Sequence, residues 1–443
     1  MRNKRHTRKH QKKQNLNVIN IILILLVALF IFAFFKNLTS GGKNASKTEI
    51  ANEQTENSEN TSSENTNSSN TNSEKVSNES ENNSANVPNK EPLKDDVTFS
   101  MAVTGDIMCH NTNYQDAYNS STKSYDFSYY FTDVKKYLQG ADVTVGNLET
   151  TFAGSKRGYS GYPTFNTPEI LAKNLKEAGF NVVSTANNHC MDKGYSGLES
   201  TIDFLDKADL QHTGTFKSKE AQEDILIRDV RGIEIAFLSF TYGTNGIPVP
   251  KDKSYAVNLI DKSLIKKQLE LAKAKNPDLI CVSMHWGIEY QTSANKEQKA
   301  LADFLFDNGV DLILGNHSHV PQQMEKRKIK LDDGTEKDGF VIYSLGNFMA
   351  NQNKQYTKDS AILNLRFTKH KDTNKITLDT VTYTPTYMFS NSSKSKQKFK
   401  ILDIEHEIAL YESNSPNSVS KSTYNTLVSE LKSIKKIIGK EIE

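Results

Sequence analysis

From about residue 96 onward the sequence predicts an α/β fold. Three features carry that expectation: short apolar runs of strand length, amphipathic segments of helical period between them, and an abrupt change of texture from the polar stretch that precedes them. The strand candidates are VTFSMAVTG, DVTVGN, NVVSTAN, IEIAFLSFT, DLICVSMHW, VDLILGN and FVIYSLGN. Helices are expected between them at PEILAKNLKEAG, with Pro168 in its first turn and Gly179 as its stop, and at SGLESTIDFLDKA, SLIKKQLELAKAK and KEQKALADFLFDNG. KRKIKLDDGTEKDGFVIY reads as a hairpin around Asp333 and Gly334. Residues 418–443 read as an amphipathic helix, with Leu427, Leu431, Ile434 and Ile438 at helical spacing, whose apolar stripe is a packing or partner-docking surface.

The region before residue 96 has a different logic. Residues 1–16 carry Arg2, Lys4, Arg5, Arg8, Lys9, Lys12 and Lys13 and no acid, and VINIILILLVALFIFAFF follows. With Lys36 as an interfacial anchor, residues 17–36 make one transmembrane helix. A cleavable secretory signal cut near Thr39, Ser40 or Gly41 is the competing reading. Bulky Phe34 and Phe35 with Lys36 sit where small residues should precede a cut, so the uncut anchor is preferred. Either way the basic end stays in the cytoplasm and the remainder is exported. Residues 37–95, rich in Asn, Ser, Glu and Thr, have almost nothing to bury and read as a disordered linker, which explains an apolar content of only 36%. The formal charge of +2 is more than accounted for by the seven basic residues of the tail. Everything after the tail is net acidic, which argues against nucleic acid as a partner. Cys109, Cys190 and Cys281 are too few, and odd in number, for a disulfide framework, and inert buried thiols are the simplest account of them.

The candidate strands end in polar groups of one kind. TGDIMCH presents Asp106 and His110; GNLE presents Asn147 and Glu149; ANNHCMD presents Asn187, Asn188, His189 and Asp192; MHWGIEY presents His285 and Glu289; GNHSH presents Asn316, His317 and His319. In an open α/β sheet the carboxyl ends of parallel strands converge on one crevice. Carboxylates, amides and imidazoles pooled there are a ligand set for a divalent cation such as Mn, Zn or Fe.

The order of these groups resembles the calcineurin-like metallophosphoesterase superfamily. More closely, GDIM, NLE, ANNHCMDKG, HWGIEY, GNHSHVPQ and YSLGNF resemble the CapA family of capsule and poly-γ-glutamate biosynthesis proteins, through about residues 97–350. The resemblance implies a metallophosphoesterase-like sandwich of mixed sheets flanked by helices over 96–388, with 389–443 as a C-terminal extension. It also implies one or two divalent metal ions held by Asp106, Asn188, His285, His317 and His319. His189 is then an acid or phosphate-contacting group, and with Asp192 and Glu289 makes up the catalytic set. Two positions depart from the superfamily pattern. Asp-x-His is replaced by Asp106-Ile107-Met108, leaving His110 as the substitute ligand, and the bridging aspartate is replaced by Asn147, leaving Glu149 as the substitute bridge.

Structural alternatives stand beside these roles. Asp106 could cap the segment after it, His285 with Trp286 could be a core pair, and one of Asn187 and Asn188 could be only a turn residue. Glu149 and Glu289 could orient a histidine instead of touching the cation. EKRKIK could grip a phosphate or a polyglutamate strand, although a solvated hairpin face is the preferred reading. The resemblance implies a membrane-anchored, outward-facing protein at the cell membrane whose partners are a capsule or poly-γ-glutamate polymer and the membrane subunits of its synthase. Two functions fit: a metal-dependent hydrolase, or a non-catalytic polymer-binding or scaffold subunit. The sequence holds no Gly-rich loop ending in Lys-Ser/Thr, so ATP-driven ligation is not expected of it.

Overall fold

The computed structural model describes residues 93–442 apart from 331–333, 392 and 395. The basic tail, the span expected at 17–36 and nearly all of the expected linker lie outside the described residues. Among those described, no helix is long and apolar enough to cross a membrane.

Two mixed sheets carry the fold. β1 (Val97–Ile107), β2 (Val143–Leu148), β3 (Val182–Ser184) and β4 (Gln211–Thr213) run parallel, side by side, in the first. The second contains β5 (Leu226–Val230), β6 (Ile233–Thr241), β7 (Leu279–His285), β8 (Leu312–Asn316), β9 (Met324–Lys330) and β10 (Glu336–Ile342), in the order β9-β10-β8-β7-β6-β5. Its four inner strands are parallel and its two edges antiparallel. The chain then returns to the first sheet. β11 (Asn347–Met349) pairs with the end of β1, and β12 (Asp359–Lys369), β13 (Ile376–Ser390) and β14 (Phe399–Asp403) extend that sheet antiparallel beyond β1.

Side chains alternate across each strand, so one run of residues feeds two cores. Met101, Val103, Ile233, Ile235 and Phe237 fill the space between the sheets. Ala102 faces the helices outside the first sheet: α1 (Asn111–Asp116), α2 (Lys135–Gly140), α3 (Ile170–Ala178) and α4 (Gly194–Lys207). α5 (Lys219–Glu223) is a short connector. Ala236, Leu238 and Phe240 face α6 (Lys262–Ala274) and α7 (Lys296–Asp307). Asp261 accepts from the Leu264 amide to start α6, and Asn295 with Gln298 forms a capping box at α7. Gly179 ends α3 at φ 122°.

All seven expected strands and all five expected helices are present, with β4, β5, β11–β14, α1, α2, α5 and α8 (Ile404–Glu412) among the elements the sequence did not announce. β4 is three residues with no aliphatic among them, and β13 carries Pro385, a residue that argues against a central strand. Pro385 sits just before the stretch that pairs with β14, where no ladder hydrogen bond is asked of its nitrogen on that side. The boundary expected between 388 and 389 falls inside β13. Beyond it, α9 (Lys421–Ile438) inserts Leu427, Ile434 and Ile438 into the core between the sheets, so this segment is part of the domain and not an appendage. The hairpin is β9 with β10; Gly334 in its turn has φ 79°, and residues 331–333 lie outside the described residues.

Leu427 is fully buried, and Leu427→Ala is expected to lower the unfolding free energy by about 2–5 kcal/mol. Urea unfolding followed by the emission of Trp286, the single tryptophan and itself buried, measures it. A second prediction concerns Asp359, buried on β12 beside Glu430 of α9. Burial first, then the Glu430 carboxyl, push it up to about 9. The folded chain therefore keeps a proton that the unfolded chain releases near pH 4, so stability falls as pH rises from about 4 to about 9. Asp359→Asn should remove that slope. The melting-temperature difference, variant minus wild type, should grow more positive from pH 5 to pH 9, and a flat difference would refute the assignment.

Candidate metal centre

The carboxyl ends of β1, β2, β3, β7 and β8 meet where the two sheets adjoin. Two glycines make the approach possible: a Cβ on Gly105 would lie 1.9 Å from the Gly346 carbonyl oxygen, and one on Gly315 would lie 2.0 Å from that of Tyr343. Any side chain there would push apart the strand ends that deliver Asp106 and Asn316. After β8 the chain does not stay extended as the alternation of His317 and His319 suggests. Both histidines have left-handed backbones, φ 92° and 58°, conformations that cost a non-glycine residue energy and concentrate at functional sites. These turns swing both rings toward Glu149.

Among the described residues, two groups of side chains bring ligand atoms within 4.8 Å of one another: Glu149, His317 and His319, and Asp106, Glu149 and His285. Glu149 belongs to both. His285 Nε2 lies 3.6 Å from Glu149 Oε1 and 2.8 Å from Asn188 Oδ1. His319 Nδ1 lies 3.3 Å from Asp106 Oδ2 and 3.1 Å from Asn347 Oδ1, and its Nε2 is 4.0 Å from Glu149 Oε1. Donors around one cation at ~2.1 Å sit roughly 3 Å from each other, so these spacings suit shared coordination.

Both carboxylate oxygens of Glu149 are buried without a hydrogen-bond partner, and so is Nδ1 of His317. Burial, then the charge of Asp106, push the Glu149 carboxyl well above the usual range. Burial and the neighbouring histidines hold His285 well below its ordinary value and His317 at about 4. The contacts between these imidazoles and Glu149 are therefore not ion pairs. Neutral imidazoles beside an orphaned buried carboxylate are the form in which such groups bind a cation. The residues fit a divalent metal.

His189 and Asp192 lie at the edge of these groups. His189 Nδ1 is 2.8 Å from Asp192 Oδ2, which also accepts from the Phe165 amide at 2.6 Å, and Phe165 meets the His189 ring edge-on. Asn147 is placed differently from a ligand: its Nδ2 donates to Asp106 Oδ1 at 2.8 Å, and its Oδ1 is taken by the Ser184 hydroxyl at 2.8 Å. It holds Asp106 in place. His110 joins neither group. It stands at the start of α1 with Nδ1 accepting the Asn351 amide, and burial brings it to about 4. Glu289 is exposed on the loop after β7, outside both groups.

Other groups have structural partners. Asn187 bonds the Leu148 carbonyl and the His189 amide. Trp286 turns away from His285 and donates to the Tyr343 carbonyl. All three cysteines are free and buried. Lys326 and Lys328 of EKRKIK pair with Asp338, and Arg327 with Asp303 and Glu325, on a hairpin pointing to the amino ends of the parallel strands. That is the pole opposite the site. Sequence reasoning passed over Asn347, although it lies in YSLGNF. Nor did any motif mark Ser184, or Tyr242 and Asn245, which reach the site from the loop after β6.

Residues 100–352 match the family described as bacterial capsule synthesis protein PGA_cap. The capsule biosynthesis protein CapA of Bacillus anthracis is 32% identical over 60% of this chain and 63% of its own, so the match leaves over a third of that relative uncovered. The PGA biosynthesis protein CapA of Bacillus subtilis is 29% identical over 65% of this chain and 72% of its own. Solved structures with a distant likeness in shape include a Mycoplasma pneumoniae phosphatase, at 18% identity over 65% of this chain and 93% of that one with a TM-score of 0.37. Another is the Haemophilus influenzae NAD nucleotidase, at 15% identity over 77% and 61% with a TM-score of 0.41. With more than half of its length matched to one family, and with that match spanning β1 to β11 and each of the strand ends described above, the chain belongs to the PGA_cap family of bacterial capsule synthesis proteins.

Proposed function

We propose that this chain is a membrane-anchored, extracytoplasmic hydrolase of metallophosphoesterase type that acts on a phosphoester, or on an ester or amide link, during capsule or poly-γ-glutamate production. The observation that carries the reading is Glu149, a buried carboxylate shared by both ligand groups and left without a donor. It supplies the anionic bridge that Asn147 cannot. Family membership supplies the polymer context, and the basic tail followed by the apolar run of residues 18–35 supplies the topology.

Asp106, Glu149, Asn188, His285, His317 and His319 would hold the cation or cations. A bound divalent metal supplies Lewis acidity to the scissile group and to water. The rest of the chemistry belongs to the chain. Asp192 fixes the His189 ring through Nδ1, so a proton given to the leaving group departs from Nε2. Phe165 against that ring keeps water from its face. Tyr242, half-exposed, packs its ring 4.5 Å from that of His317 and offers an aromatic face at the edge of the site against which a substrate can rest.

Glu149→Gln keeps the shape and removes the charge. It should cut Mn2+ or Zn2+ affinity by at least about tenfold, read by titration calorimetry or bound-metal analysis, while leaving the melting temperature no lower than wild type. Asp106→Ala and His317→Ala should abolish hydrolysis of a model phosphodiester or of polyglutamate. Full activity in either would rule out the hydrolytic reading and leave the binding or scaffold role. For the topology, an alkaline phosphatase fused after residue 443 should be active on intact cells and should lose its membrane association when residues 1–36 are deleted. A fusion that is active only in lysed cells would overturn the outward orientation.

A further inference from the structure

Asn245 is exposed, yet its side chain reaches two buried groups of the site. It sits in the turn after β6 with φ 49°, a left-handed backbone that asparagine tolerates better than most residues. Its Oδ1 accepts from Asn188 Nδ2 at 3.2 Å, and its Nδ2 lies 3.5 Å from His189 Nε2. The Tyr242 hydroxyl approaches the same Oδ1 at 3.5 Å.

An amide has a donor end and an acceptor end, and rotation by half a turn exchanges them. For Asn188 the exchange matters: with Oδ1 toward His285 Nε2, 2.8 Å away, it offers an oxygen to the ligand group, whereas the reversed amide would offer an NH2 to a cation. Burial leaves Asn188 no water to fix the choice. Its NH2 end donates to Asn245 Oδ1 at 3.2 Å and also lies within reach of the Tyr242 hydroxyl, which shares that oxygen of Asn245.

We infer that Asn245 is a positioning residue: by accepting from the Asn188 amide it holds the Asn188 oxygen toward the metal site, from an exposed loop that no ligand motif marks. This rests on the metal reading above. It assigns the loop after β6 a part in metal affinity and makes the oxygen of Asn245, and not its nitrogen, the atom that matters.

Two variants separate this from a merely structural role. Asn245→Gly keeps the left-handed turn and removes the side chain, and Asn245→Asp keeps an oxygen acceptor at the same place. Titration calorimetry of Mn2+ into the full chain should show N245G weakened about tenfold, the scale typical of residues that orient ligands, and N245D within about threefold of wild type. Because Asn245 is exposed, both should melt within a few degrees of wild type, and a drop in N245G affinity accompanied by loss of the fold would count against the inference. N245G binding as tightly as wild type, or N245D falling as far as N245G, would overturn it. If wild type itself takes up no Mn2+, the metal reading falls and takes this inference with it; wild-type binding beside an unchanged N245G sinks the inference alone.

Discussion

The carboxylate of Glu149 is the constraint around which the rest of the site is arranged. It is fully buried, close to the carboxylate of Asp106, and receives no hydrogen bond. A charge in that position is costly unless something positive shares it, and His285 and His317 do not serve, since burial and the neighbouring imidazoles favour their neutral forms. The chain thus brings two carboxyl groups and neutral nitrogens together in one place. Either a proton or a metal ion resolves that arrangement, and only the second uses the histidines.

Delivery of those groups depends on backbone more than on side chains. Glycines at 105 and 315 let the ends of β1 and β8 pass within contact of Gly346 and Tyr343, and the two left-handed turns at His317 and His319 aim rings that an extended chain would have sent elsewhere. Strain of this kind persists only where surrounding structure over-determines it. Here the surroundings are two sheets whose shared core reaches from β1 to α9. The C-terminal helix lies far from the site in sequence, but it completes the core that holds both sheets in register.

Much of this was legible in the sequence, for reasons that can be named. The inner parallel strands are continuous apolar runs, so their ends, and the polar residues just beyond them, announce themselves in Asp106, His285 and His317. Antiparallel β12 and β13 do not announce themselves as strands because their outward residues include Asn364, Arg366, Asp379 and a run of threonines, and because Pro385 interrupts the pattern. The hydrogen-bond partners of Asn147 and His110 were not legible for a different reason. Motif order fixes which residues are near a site, whereas whether Asn147 spends its oxygen on Ser184, or His110 its nitrogen on Asn351, is decided by contacts across 37 and 241 residues of chain. Asn245 was invisible on the same ground, since it acts through Asn188, 57 residues away.

Asn147, at the position where the resemblance led one to expect a bridging aspartate, need not leave the site without a bridge. An amide at that position cannot carry the charge two cations would share, but it can donate to Asp106, and a carboxylate cannot do that without a proton. The Asn147 bond leaves Asp106 Oδ2 facing His319 and the His317 amide. Two residues on, where β2 ends and the chain bonds back to the Ile107 carbonyl, Glu149 enters the space between both ligand groups with its longer side chain. Charge has moved along the strand by one side-chain repeat, to the same face, and the lost anion is restored with its geometry changed. Were cations held here, a bridge altered in this way would suit a more loosely spaced pair, or a single ion, better than the tight pair an aspartate bridge enforces.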